Sequence, residues 1–119
     1  MSKIQDAIVE LRRAPGVKGA AVVTRDGLVA ASALDASTGP DVVAGLASYL
    51  LMSTNRCLSE GGLSPCESLT IFATNGRTRL VSLDDACLVV LFDQFSEPSK
   101  SDKDVDAAVA SIRRAYRIS

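Results

Sequence analysis

The sequence predicts an α/β fold of three layers, built on a five-stranded antiparallel sheet, with the order helix, strand, strand, helix, three strands, helix. Three observations predict it. Two short apolar runs flank an Asp-Gly pair at residues 26–27, and a later three-run meander turns at Asn75-Gly76. Between them lies a proline-free stretch of helical length, residues 41–60. Finally, Ala20–Val23 and Ala86–Phe92 do not alternate with polar residues, so their strands are expected to be covered on both faces.

Each element has its own signal. Ser2 and Gln5 have capping-box spacing, and Ile4, Ala7, Ile8 and Leu11 recur at helical intervals until Pro15-Gly16 stops the first helix. Gly19–Thr24 and Leu28–Ser32 are the first hairpin, whose Asp-Gly turn is expected to supply positive φ angles. Thr38, Gly39, Pro40 and Asp41 open the long helix, and Gly61-Gly62 closes it. At 100° per residue, Val42, Val43, Leu46, Ala47, Tyr49, Leu50, Leu51, Cys57 and Leu58 fill about half its circumference. One sheet does not need so wide an arc, which suggests a second contact on the flank, plausibly another copy. The opposite arc, Ala44, Gly45, Ser48, Met52, Asn55 and Arg56, is expected to face outward, either as a contact surface or simply in solvent.

Ser68–Thr74, Arg77–Leu83 and Ala86–Phe92 form the meander, with Asp84-Asp85 at its second turn. Phe95–Lys100 reads as a loop. From Ser101 or Asp102 a last helix runs with Val105, Ala108, Val109, Ile112 and Tyr116 on one stripe, while Arg113, Arg114 and Arg117 complement its negative end.

Composition narrows the function. With 119 residues, 47% hydrophobic and 23% charged, residues 1–119 are expected to be one globular domain. A net charge of −1 with interleaved signs gives no footprint for nucleic acid or an anionic membrane. No run reaches the roughly 18 to 20 apolar residues of a membrane span, and the charged, amphipathic N-terminus is unlike a signal peptide. A cytoplasmic protein is the expectation. Cys57, Cys66 and Cys87 have no C-x-x-C spacing and histidine is absent, so neither metal nor cofactor is expected, and the cysteines read as small core residues.

Chemistry-bearing motifs are few. There is no phosphate-cradling G-x-x-x-x-G-K-[ST] loop, and Gly16-Val17-Lys18-Gly19 precedes a strand instead of opening a helix. Asp84-Asp85 sits in a turn and Asp102 and Asp104 at a helix start, where carboxylates serve local structure. Ser53, Ser59, Ser64 and Cys57 lack an activating base. Arg25 and Arg77 adjoin turns and read as solvated. Neither an enzyme nor a small-molecule substrate is expected.

Residues Gly16-Val-Lys-Gly-Ala-Ala-Val-Val-Thr-Arg-Asp-Gly-Leu-Val-Ala-Ala-Ser32 resemble the first hairpin of roadblock domains, with the pattern G-V-x-G-x-x-V-x-x-x-[DN]-G-x-x-x-A-S. The element order fits that family over essentially the whole chain. The resemblance implies a long middle helix on one sheet face and the terminal helices on the other. It also implies a homodimer that binds a small Ras-like GTPase and modulates its hydrolysis or nucleotide state. Another branch of the family, the dynein light chains, implies the alternative of a non-enzymatic assembly or adaptor subunit. By the resemblance, Ser68, Leu69, Thr70, Ile71 and Phe72 are the strand interface between copies and Val43, Ala47, Leu50 and Leu51 the helical seam. Ala44, Ser48, Met52 and Asn55 are the candidate GTPase contacts, placed by helix phase.

Overall fold

The computed structural model describes residues 2–118, with the side chains of Tyr116, Arg117 and Ile118 outside the description. The expected stripe position of Tyr116 and the basic position of Arg117 therefore lie outside the described side chains. The elements are α1 (Lys3–Arg12), β1 (Val17–Thr24), β2 (Val29–Ala33), α2 (Pro40–Glu60), β3 (Ser68–Ala73), β4 (Gly76–Ser82), β5 (Ala86–Asp93) and α3 (Pro98–Ile118). The element order is the one predicted. The last helix starts earlier than expected, at Pro98, because proline at a first helical position needs no N–H partner there.

The sheet order is β2-β1-β5-β4-β3, antiparallel throughout. Its two apolar faces support two cores. On one, α1 and α3 bring Ile8, Leu11, Val105 and Ile112 onto Val22, Leu88, Val90 and Phe92. On the other, α2 lays Ala44 and Ala47 onto Ala21, Val23, Leu80, Cys87 and Val89. The central strands β1 and β5 are buried on both sides, as their unbroken apolar runs predict.

The hairpin turns work differently from the expectation. At Arg25-Asp26-Gly27 only Gly27 has positive φ (82°), and the turn closes through Gly27 N to Thr24 O (3.0 Å) with a register shift at Val22/Val23. In the meander, Ala73 pairs with Gly76, so the turn residues are Thr74 and Asn75, and neither Asn75 nor Gly76 has positive φ. Glycine is needed at 76 for another reason. A Cβ there would lie 2.5 Å from the Phe92 carbonyl oxygen of the neighbouring strand.

The two sheet edges are treated unequally. Ser2 caps α1 as predicted, but Gln5 does not complete the capping box. Its side chain donates to Ser32 O (2.9 Å) and accepts from Ser32 N (3.2 Å), and Arg12 donates to Ala33 O (3.1 Å). Edge strand β2 is thereby closed by α1. Edge strand β3 is not, and five of its six residues are exposed.

On β4, Arg77 is 6% exposed, not solvated as its turn position suggested. Its guanidinium lies 3.8 Å from the Phe92 ring centre and donates to Ser101 Oγ, while Arg79 pairs with Asp102 at 3.1 Å. Together they pin the first half of α3 to the sheet.

Candidate functional site

The site is built by α2 and what surrounds it. The helix is anchored through alanines: Ala44 and Ala47 are buried at 0% and 2%, and their small side chains let the backbone approach β1 and β5 closely. Leu51 follows on that side, half-buried. This fixes the helix phase and turns a row of large apolar residues outward. Val42, Leu46, Tyr49 and Met52 are 64%, 58%, 66% and 66% exposed, at spacings of four, three and three residues.

Two expectations are corrected by this phase. Ala44, expected among the outward contacts, is buried against the sheet. Ala47, expected on the seam between copies, is buried there too. Val43, Leu50 and Leu51 are half-buried on the cluster that includes Leu69 of β3. Sequence reasoning did not identify the outer row because it placed Val42, Leu46 and Tyr49 in one wide apolar arc shared by the sheet and a flanking contact, and Met52 on the opposite arc. The usable signal was the i, i+3 pair Ala44 and Ala47, which marks the closest helix-sheet approach.

Ser48, Met52 and Asn55 do come together. They border a cleft of about 300 Å3 between α2 and the strand ends, together with Pro65, and Val23, Leu51 and Cys87 lie beneath. Ser48 Oγ donates to Arg25 O (3.3 Å), Arg25 Nη2 donates to Asp84 O (3.3 Å), and Cys66 N donates to Asn55 Oδ1 (2.7 Å). These bonds tie helix, turns and the Pro65-Cys66 connection into one rim. Cys87 is sealed in the floor, and burial pushes its thiol up to about 12, so it is no nucleophile at neutral pH. Cys66 is half-buried and Cys57 exposed, against the reading of all three as core. Among the described residues no group of three His, Cys, Asp or Glu side chains is placed to hold a metal ion.

On the strand side, Ser68, Thr70, Ile71 and Phe72 are exposed along the open edge, and Leu69 is half-buried. Register puts Leu69 and Ile71 on the α2 face, opposite Leu80 and Thr78, and Thr70 and Phe72 on the α3 face, opposite Arg79 and Arg77. The arrangement offers surfaces, not reactive groups.

The sequence model of the Roadblock/LC7 domain matches residues 3–92. The chain belongs to the Roadblock/LC7 family. An uncharacterized protein of Methanocaldococcus jannaschii is 40% identical over 92 residues, which cover 77% of this chain and 78% of its own. Among solved structures, Myxococcus xanthus MglB superposes with a TM-score of 0.94 at 14% identity, covering 100% of this chain and 98% of that one. A gliding protein, MglB of Thermus thermophilus, gives 0.86 at 17% identity, covering 98% and 90%. At such low identity these two likenesses establish the roadblock fold, with its three layers and five-stranded antiparallel sheet. The resemblance read from the first hairpin is thus borne out. No helix among the described residues is long and apolar enough to cross a membrane.

Proposed function

We propose that this roadblock protein is a cytoplasmic homodimer that binds a small Ras-like GTPase on the outer surface of α2 and modulates its hydrolysis or nucleotide state. The carrying observation is the exposed row Val42, Leu46, Tyr49 and Met52, four large apolar side chains left uncovered among the described residues. Ser48 and Asn55 supply polar contacts on its flank. Ala44 has no part in it. The structural likeness to MglB, a gliding protein in Thermus thermophilus, supports the reading.

The dimer forms through the open edge, Ser68–Phe72, with Val43, Leu50 and Leu51 meeting their copies above the joined sheet. Pairing an uncovered strand satisfies backbone groups that otherwise template aggregation. Two α2 rows side by side then double the apolar platform. Such a platform acts on a GTPase without chemistry of its own, by holding its switch segments in one arrangement. No residue here is assigned as an arginine finger.

The test immobilises the full-length protein and measures capture of small GTPases from its own cell extract, loaded with a non-hydrolysable GTP analogue or with GDP. Preference for the analogue-bound form is the expected result, followed by altered hydrolysis rates. Equal capture of both forms makes the protein a tether. Recovery of other proteins and no GTPase replaces this reading with the adaptor role.

A further inference from the structure

We infer that the cleft beside α2 is a docking pocket for a basic, apolar-tipped segment of a partner protein: one large aliphatic or aromatic side chain, flanked by Lys or Arg. The inference goes beyond the function proposed above, since it specifies a chemistry for the contact and holds whether or not the partner is a GTPase.

Shape and charge carry it together. The cleft holds about 300 Å3; Val23, Leu51 and Cys87 at its base, with Met52 and Pro65 on its exposed border, offer an inserted side chain apolar contact. A purely apolar occupant would leave the rim unused. Asp84 lines the cleft, and Asp26, Glu67 and Asp85, all exposed, are neighbours of its lining residues. Asp85 is beside Asp84 in the same turn, Asp26 follows the rim residue Arg25, and Glu67 O accepts from Ser82 N (2.9 Å), another lining residue.

None of these four carboxylates is in an ion pair among the described residues. Among the described residues, two cations hydrogen-bond to the lining residues. Arg25 spends a guanidinium donor on the Asp84 carbonyl, and Arg113 reaches Ser82 O (3.2 Å) from the α3 side. Counting the described side chains, this end of the cleft is net negative, and a cationic segment is the complement. Its charges stay at the rim while the apolar tip goes in. The rim is already braced by the Ser48, Arg25 and Asn55 hydrogen bonds, so little ordering is needed on binding.

The test pans a phage-displayed random heptapeptide library on the intact protein, with a Glu67→Lys/Asp85→Lys variant as the counter-target. Asp84 is left unchanged because its φ of 70° suits aspartate better than lysine. The expected consensus places Leu, Met or Phe next to Lys or Arg. Affinity should fall roughly tenfold on the variant, as expected for reversal of rim charges. Replacing the apolar residue of the best peptide with Ala should abolish binding, and amide shifts should map to Arg25, Asn55, Asp84 and Ala86. Acidic or absent consensus, binding indifferent to the charge reversal in a variant with an unchanged urea midpoint, or shifts confined to residues of α1 and α3 would each overturn the inference.

Discussion

Tyr49→Ala tests the α2 platform most directly. Tyr49 is 66% exposed, and no hydrogen bond of its hydroxyl occurs among the described residues. An aromatic side chain presents ~150–250 Å2, so about 130 Å2 of Tyr49 is open to a partner, worth ~3 kcal/mol at ~25 cal/mol per Å2. Truncation to alanine keeps the Cβ, leaving an expected loss of about 2 kcal/mol, or roughly thirtyfold in Kd. The same substitution removes nothing from either core, so the free energy of unfolding from urea titration should stay within about 0.5 kcal/mol of the parent. The assay is calorimetric titration with the GTPase recovered by capture, beside urea unfolding of the free protein. An unchanged Kd at unchanged stability would refute the platform. Ala44→Arg is no substitute for this test: it forces a charge against the sheet, and loss of binding would report only unfolding.

Other outcomes follow from particular contacts. Ile71→Lys places a charge on the open edge at a position 37% exposed in the single chain, so it should shift sedimentation from dimer to monomer while leaving a folded protein. A dimer that withstands it would move the interface elsewhere. Gly76→Ala drives a Cβ to 2.5 Å from the Phe92 carbonyl and should cost ~1–3 kcal/mol in urea unfolding, although φ at this residue is unremarkable. Cys87, raised from 9.0 to about 12 by burial, gives a pH signature. The unfolded thiol loses its proton first, so stability should be constant below pH 9.0 and fall towards pH 12 by up to about 1.4 kcal/mol per pH unit. Cys87→Ala should abolish that component, and an unaltered slope in the variant would show that other groups cause it.

Much of the fold was legible because its signals are local. Turn glycines, proline at a helix start and unbroken apolar runs each constrain a few residues, and they agreed on element order and on a sheet covered from both sides. The phase of α2 was not legible from hydropathy, because the residues that bury it are alanines. Val42 and Leu46 outrank Ala44 and Ala47 in hydrophobicity, and Tyr49 outsizes them, yet close packing on the sheet selects the smaller pair. Arg77 was misjudged for a related reason. Its place beside a turn suggests solvent, whereas register sets it over Phe92 and beneath Ser101 of α3, contacts that no local pattern encodes.

The unequal edges bear on how association would end. Gln5 and Arg12 occupy Ser32 N, Ser32 O and Ala33 O on the outer side of β2, so the second half of this edge has little left to offer another strand, while β3 stays open. If copies join at β3 about a two-fold axis normal to the sheet, partnered residues must share a face, so their numbers sum to an even value. Centred on Thr70, this sets Ser68 against Phe72. Centred on Ile71, it sets Thr70 against Phe72. Either way Phe72, 73% exposed in the single chain, gains cover on the α3 face, and the joined sheet is bounded at both ends by β2 strands already occupied by α1. Growth by strand addition therefore stops at two. Gln5→Ala should reopen the far edge, and concentration-dependent assemblies larger than a dimer would reveal it. A variant that remains strictly dimeric at all concentrations would show that the β2 edge is protected by something other than the α1 side chain.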